Sequence, residues 1–102
     1  PHAVFDKAGG FDEHYFLFNE DIDLCRAIHQ NGFKVMYFPY AKITHHISTS
    51  NSKVPVDIII KRHLGMIHYY KKNHGENPVA RIIVNFMISL RCLSQLVFNL
   101  FK

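Results

Sequence analysis

Glu20, Asp21 and Asp23 put three carboxylates within four residues. They stand directly ahead of Leu24, Cys25, Ala27 and Ile28, whose spacing predicts an amphipathic helix. Carboxylates at a helix start do one of two things. They cap free N–H groups at the positive end of the helix dipole, or they take a proton at a site. Cys25 and Ile28 lie four and seven residues after Asp21, so all three share one face. That face is apolar, which directs Asp21 towards the core or a cleft. Asp23, Arg26 and Gln30 share a polar face, where Asp23 and Arg26 are spaced for an i,i+3 pair in solvent. Spacing alone leaves Asp21 as either a buried cap or a catalytic base.

The segments that must position these groups are short. Gly9-Gly10 is a turn signal, and Asp12 and Glu13 suit the start of a helical turn. Phe16-Leu17-Phe18 is an apolar run too brief for a helix of its own. Asn31-Gly32 ends the helix, predicted over about 20–31, with Gly32 in a left-handed cap. Alternating residues then predict strands over about 33–38 and 41–46. His45 and His46 end the second of these, and adjacent strand residues point to opposite faces. Ser48 to Ser52 read as a polar connecting loop.

Residues 1–52 hold four Lys/Arg and six Asp/Glu, a net of −2, while residues 53–102 hold eight and two, a net of +6. The division falls near Pro55, after which the pattern predicts two helices. One runs over about 55–73 with Ile59, His63, Met66 and Tyr70 in a stripe. The other runs over about 77–101, capped by Asn77 and started by Pro78. The second is apolar around much of its circumference and long enough to cross a bilayer. Arg91 near its middle costs roughly 2.5–3.5 kcal/mol there, so an interfacial helix or one packed on a partner fits better.

Composition excludes several classes. With 48% hydrophobic and 20% charged residues the chain is globular and not disordered. Two cysteines, Cys25 and Cys92, form neither a disulfide framework nor a zinc pattern, and read as small core hydrophobes. The basic residues of the second half do not interleave with aromatic ones in a nucleic-acid motif, so nucleic acid is excluded as a partner.

Taken together, Gly9 to Glu13, Phe16 to Phe18, Glu20 to Cys25, Gly32, Pro39 and the His45-His46 pair stand in a specific order. The stretch GGFDEHYFLFNEDIDLCRAIHQNGFK resembles the acceptor-side region of inverting family-two glycosyltransferases with the GT-A fold, and within them the rhamnosyltransferase-like branch. The resemblance covers about residues 2–50. It departs at one place: Ala27 stands where the family carries arginine, and Arg26 comes one position early. The resemblance implies an α/β, mostly helical fragment of a GT-A fold with two short strands and a C-terminal helical pair. It implies an acceptor-side catalytic segment over residues 1–52 and a basic, apolar helical region over 53–102.

The resemblance also implies roles. Asp21 becomes the general base on an acceptor hydroxyl, Glu20 orients that acceptor, and Gly10, Asp12 and Glu13 help bind it. His45 becomes a ligand to Mn²⁺ or Mg²⁺, completed by residues outside this chain. The implied activity is inverting transfer from a nucleotide sugar to a saccharide or lipid-linked acceptor in bacterial surface polysaccharide synthesis. The implied location is cytoplasmic, at the inner face of the membrane. The nucleotide-binding half of such an enzyme is missing, so the chain alone is expected to be a silent piece of a longer enzyme. Its uncovered surfaces are expected to pair it with a second copy. The alternative from the tail is a membrane- or partner-binding helical module without catalysis.

Overall fold

The computed structural model describes residues 1–44 and 54–101. Its helices are α1 (His2–Lys7), α2 (Glu20–Gln30), α3 (Val56–His74) and α4 (Pro78–Leu100). Local chemistry accounts for most of the boundaries. Asn77 accepts from the backbone N–H groups of Val79 and Ala80 at 3.0 and 3.2 Å, with Pro78 in the first turn of α4. Gly32 ends α2 at φ +81°, its N–H donating to the His29 carbonyl at 3.0 Å.

Helices α3 and α4 form an antiparallel hairpin joined at Gly75–Asn77. Their contact is polar at its open end. The Asn99 side chain donates to the Val54 carbonyl at 2.9 Å and accepts from the Val54 N–H at 3.2 Å. One turn inward, the Arg62 guanidinium donates to the Gln95 side-chain oxygen. Thus α4 turns the row Asn85, Ile88, Cys92, Gln95 and Asn99 towards its neighbour, half-buried or buried. Its opposite row, which includes Ile82, Phe86, Met87, Leu90, Leu93 and Phe98, stays between 52% and 69% exposed. The helix is amphipathic with its apolar side outward.

Segment 11–19 and α2 lie against α3. Phe18 and Asn19 both adopt left-handed backbone, φ 65° and 69°, and so turn the chain sharply into Glu20. They reach α3 at Gly65, where a Cβ would meet Asn19 Nδ2 at 3.0 Å and the Phe18 carbonyl oxygen at 3.6 Å. A mid-helix glycine costs about 1 kcal/mol against alanine, and here it permits the close approach. One turn before it, Lys61 Nζ sits 3.8 Å above the Phe16 ring and the Arg62 guanidinium 5.9 Å from that of Phe18.

The resulting body is open. Its radius of gyration is 16.6 Å, where about 13 Å is usual for 100 residues. Its accessible surface is 8483 Å², where a folded monomer of this mass exposes roughly 6,000 Å². Among the described residues, Tyr15 and Ile59 are the buried large apolar side chains.

Two expectations are corrected here. Among the described residues there is no strand, and residues 33–44 run without helix or ladder, so the α/β, acceptor-side GT-A arrangement with two short strands is not what the chain forms. A strand needs a neighbour for its N–H and C=O groups, and nothing among the described residues pairs with 33–38. Val35, Met36, Tyr37 and Phe38 are accordingly 52–89% exposed. His45 and His46 lie outside the described residues. The second correction concerns the cysteines: Cys25 is exposed and Cys92 only half-buried.

Candidate functional site

The chemistry-bearing residues gather where the 12–15 turn and α2 meet the last two turns of α3. Lys72 Nζ lies between two carboxylates, 2.7 Å from Asp12 Oδ2 and 2.7 Å from Asp23 Oδ2. Asn73 Nδ2 donates to the other oxygen of Asp23 at 3.0 Å. The other oxygen of Asp12 accepts from the His14 N–H at 3.0 Å and lies 2.7 Å from His14 Nδ1. The His68 ring stacks on that of His14, centroids 5.2 Å apart, and meets the edge of Tyr15 at 4.9 Å. Its Nε2 stands 3.4 Å from Asp12 Oδ2. Arg26 donates to the Asn73 carbonyl at 3.3 Å and to His74 Nε2 at 3.4 Å, a cation at the negative end of α3.

Electrostatics fix the charges of Asp12, Asp23 and Lys72. The Lys72 ammonium holds the Asp12 carboxyl far below the usual range, helped by the His14 N–H. Burial pushes Asp23 upward, but the hydrogen bonds from Lys72 and Asn73 outweigh it and its pKa is lowered. Lys72, bonded to both carboxylates, is raised. Burial, with the nearby Asp23 charge, pushes the Tyr15 phenol up to about 12. Carboxylates stabilised as anions in this way are poor bases. Asp12 and Asp23 therefore position the segment and do not move protons.

Stability should follow. The two carboxylates contribute fully above their unfolded pKa near 4 and lose that contribution as pH falls through their lowered folded values. Lys72 contributes below its unfolded pKa near 10.4 and loses it as pH rises through the raised folded value. The contribution of the bridge should therefore be constant from about pH 5 to 9 and fall on both sides, lowering the unfolding midpoint there. A midpoint unchanged down to pH 2.5 would remove the bridge from the stability of the chain.

The structure distributes the sequence-predicted residues unevenly. Asp12 is drawn into the Lys72 bridge, beside groups the sequence reading did not select: His14, Asp23, His68, Lys72 and Asn73. Gly10 is half-buried against Phe5, and Glu13 is exposed. Asp21 is exposed on the first turn of α2, its carboxylate accepting from the adjacent Ile22 N–H at 2.8 Å. The inward side of α2 is that of Asp23 and Arg26, not that of Asp21, Cys25 and Ile28. Nor do Asp23 and Arg26 pair with each other; each is bonded to the end of α3 instead. Glu20 is half-buried, and its Oε2 is sealed from solvent without a hydrogen-bond partner, an acceptor oriented but unused.

One donor set has the composition of a metal site. Asp12, His14 and His68 offer ligand atoms within 4.8 Å of one another. Lys72 already neutralises that carboxylate at 2.7 Å, and its charge opposes a second cation there, so the set does not fit a resident divalent ion. The sequence signal for the cluster was present but partial. His68 and Lys72 are four residues apart and share a face of α3, while nothing local names Asp12 as their partner.

No protein-family model matches the chain, and no solved structure matches it. Curated proteins do. Over 73 residues, 72% of the chain, it is 31% identical to N-acetylglucosaminyl-diphospho-decaprenol L-rhamnosyltransferase of Mycobacterium tuberculosis, in strains CDC 1551 and H37Rv alike. Over 47 residues, 46% of the chain, it is 36% identical to the rhamnosyltransferase WbbL of Escherichia coli K12. The matched regions are 24% and 18% of those proteins, so the chain spans a quarter or less of the length of the curated relatives it matches. The chain is thus similar to part of rhamnosyltransferase-type glycosyltransferases.

Proposed function

We propose that these 102 residues form the acceptor-side part of a longer glycosyltransferase. It transfers a sugar of the rhamnose class from a nucleotide sugar to a lipid-diphosphate-linked saccharide, with inversion. The observation that carries the reading is the 73-residue similarity to a rhamnosyltransferase acting on a diphospho-decaprenol acceptor. It agrees with the ordered Gly-Gly-Phe-Asp-Glu and Glu-Asp-x-Asp-Leu-Cys segments.

On this reading Asp21 takes the proton of an acceptor hydroxyl while that oxygen bonds to the anomeric carbon. The bond from that carbon to the nucleotide diphosphate breaks on the opposite face, and the electron pair leaves with the diphosphate. Asp21 suits this because it is exposed and its carboxylate faces no cation among the described residues. Glu20, beside it, orients the sugar by accepting from a second acceptor hydroxyl through its Oε1, the oxygen that is not sealed. Gly10 and Glu13 help bind the same acceptor. Asp12, Asp23 and Lys72 hold α2 in place, so that the two working carboxylates are carried on a fixed helix start.

An in vitro transfer assay of the longer enzyme tests the reading. The product should carry the anomeric configuration opposite to the donor's, and retention of configuration overturns the direct displacement. The cation belongs to the same proposal: His45, with residues beyond this chain, would hold Mn²⁺ or Mg²⁺, which neutralises the departing diphosphate. His45→Ala should raise the metal concentration needed for half-maximal rate several-fold, and His46→Ala should do less. Superimposable metal titrations for His45→Ala and the natural enzyme would take His45 out of that role.

A further inference from the structure

The outward row of α4 gives the apolar surface of this chain a shape. From Val79 to Phe101 it runs about 33 Å along the helix and carries no charged side chain, Ser94 being the one polar residue within it. Successive members turn through roughly half of the circumference at 100° per residue: Ile82 and Leu93 at one border, Met87 and Phe98 at the other, Phe86 and Leu90 between them. All six are more than half exposed. Arg91 lies outside this arc, at its edge, and is exposed.

Width and charge identify what covers such a surface. A single partner helix covers a narrow seam, and a half-cylinder of apolar side chains is far wider than that. A planar boundary between acyl chains and headgroups covers a half-cylinder along its whole length. The 53–102 half carries a net charge of +6, the sign that favours anionic headgroups. The helix is also long and apolar enough to cross a membrane, but its other side rules that orientation out. Gln95 and Asn99 are tied to Arg62 and Val54, so α3, with Lys61, Arg62, Lys71 and Lys72 on it, would be drawn into the hydrocarbon with α4. Burial of those charges there is costly.

We propose that α4 is an in-plane anchor on an anionic bilayer, its apolar row sunk below the headgroups and α3 riding on the aqueous side. The anchor stands independently of the sugar-transfer reading, because binding to a bilayer needs no donor and no turnover.

The chain has no tryptophan, so Leu90→Trp supplies a single indole on the outward row. Vesicles of phosphatidylcholine and phosphatidylglycerol at 3:1, carrying lipids brominated at different depths, read its position. We expect the 102-residue chain to co-sediment with these vesicles and the indole to be quenched about 5–10 Å below the headgroups. Binding to pure phosphatidylcholine should be several-fold weaker. The double variant Phe86→Glu, Leu93→Glu should bind at least tenfold more weakly with unchanged helix content by circular dichroism. Phe86→Ser, Leu93→Ser should do the same without adding charge. Strongest quenching at the bilayer centre would mean a spanning helix and overturn the proposal. So would undiminished vesicle binding by both double variants, which would credit the basic residues alone. Absence of vesicle binding, with a concentration-dependent dimer in sedimentation that the same variants dissolve, would assign the row to a second copy and overturn it equally.

Discussion

Asp21→Asn in the longer enzyme should leave the fold unchanged and lower the transfer rate by about 10²–10⁴-fold, the usual contribution of a positioned general base. The amide keeps the shape of the side chain and its contact with the Ile22 N–H, but cannot take a proton. Because Asp21 is exposed and unpaired with any cation among the described residues, the substitution removes no structural support. Asp23→Asn makes the informative contrast. It removes one charge from the Lys72 bridge, and should lower stability while sparing most of the rate per folded molecule. The two effects separate in a single experiment that measures turnover and unfolding midpoint for both variants. Near-normal turnover in Asp21→Asn would remove that residue from the mechanism. A large rate loss in a fully stable Asp23→Asn would move the base one turn face inward, to the buried carboxylate.

Lys72→Met should destabilise the chain by about 1–3 kcal/mol. The range lies between exposed pairs, worth at most about 1 kcal/mol, and broken buried pairs, which cost about 3–5 kcal/mol. The intermediate value follows from the geometry: the Asp23 side chain is 7% exposed and that of Asp12 16%, but that of Lys72 is 43% exposed. Without the ammonium, two largely buried anions lose their shared counter-charge. The loss should be local first. Amide exchange should speed up in 12–26 and in the last turns of α3, ahead of the middle of α4, because the bridge ties the first group of residues to the second. Asp23→Asn on the Lys72→Met background should cost less than it does alone, since the partner is already gone. An unfolding free energy within about 0.5 kcal/mol of the natural chain's would show that the bridge, though well formed, is an ornament of the surface.

What could be read from the chain and what could not divide along one physical line. The starts and stops of α2, α3 and α4 were legible, because they rest on local chemistry: Gly32 past the end of α2, Pro55 ahead of α3, Asn77-Pro78 at the head of α4. Helix α1 was missed; it has six residues and no side-chain cap, so nothing local announces it. The strands failed because alternation supplies the side-chain pattern but not the neighbouring backbone a strand requires. The face of α2 failed for a different reason. Periodicity assigns apolar rows to the interior and polar rows to solvent. In this chain α2 and α4 each turn a polar row inward, Asp23 with Arg26 on α2 and Gln95 with Asn99 on α4. Both rows find their partners on α3 or just before it: Lys72, Asn73 and His74 for one, Arg62 and Val54 for the other. Such pairings are long-range, and no window of neighbouring residues contains them.

The left-handed pair Phe18-Asn19, seated on Gly65, bears on how these proteins can be recombined. The direction in which Glu20 and Asp21 leave the backbone is set by a helix whose nearest turn is more than 40 residues further along the sequence. A chimera that kept residues 1–52 and borrowed another protein's tail would inherit the carboxylates without the surface that aims them. A side chain in place of Gly65 would press on the Asn19 side chain, 3.0 Å from the added Cβ, and one larger than alanine would press on the Phe18 carbonyl as well. The tail and the acidic segment are therefore a unit of inheritance: an exchange that respects function must carry Gly65, His68, Lys72 and Asn73 together with the turn they hold.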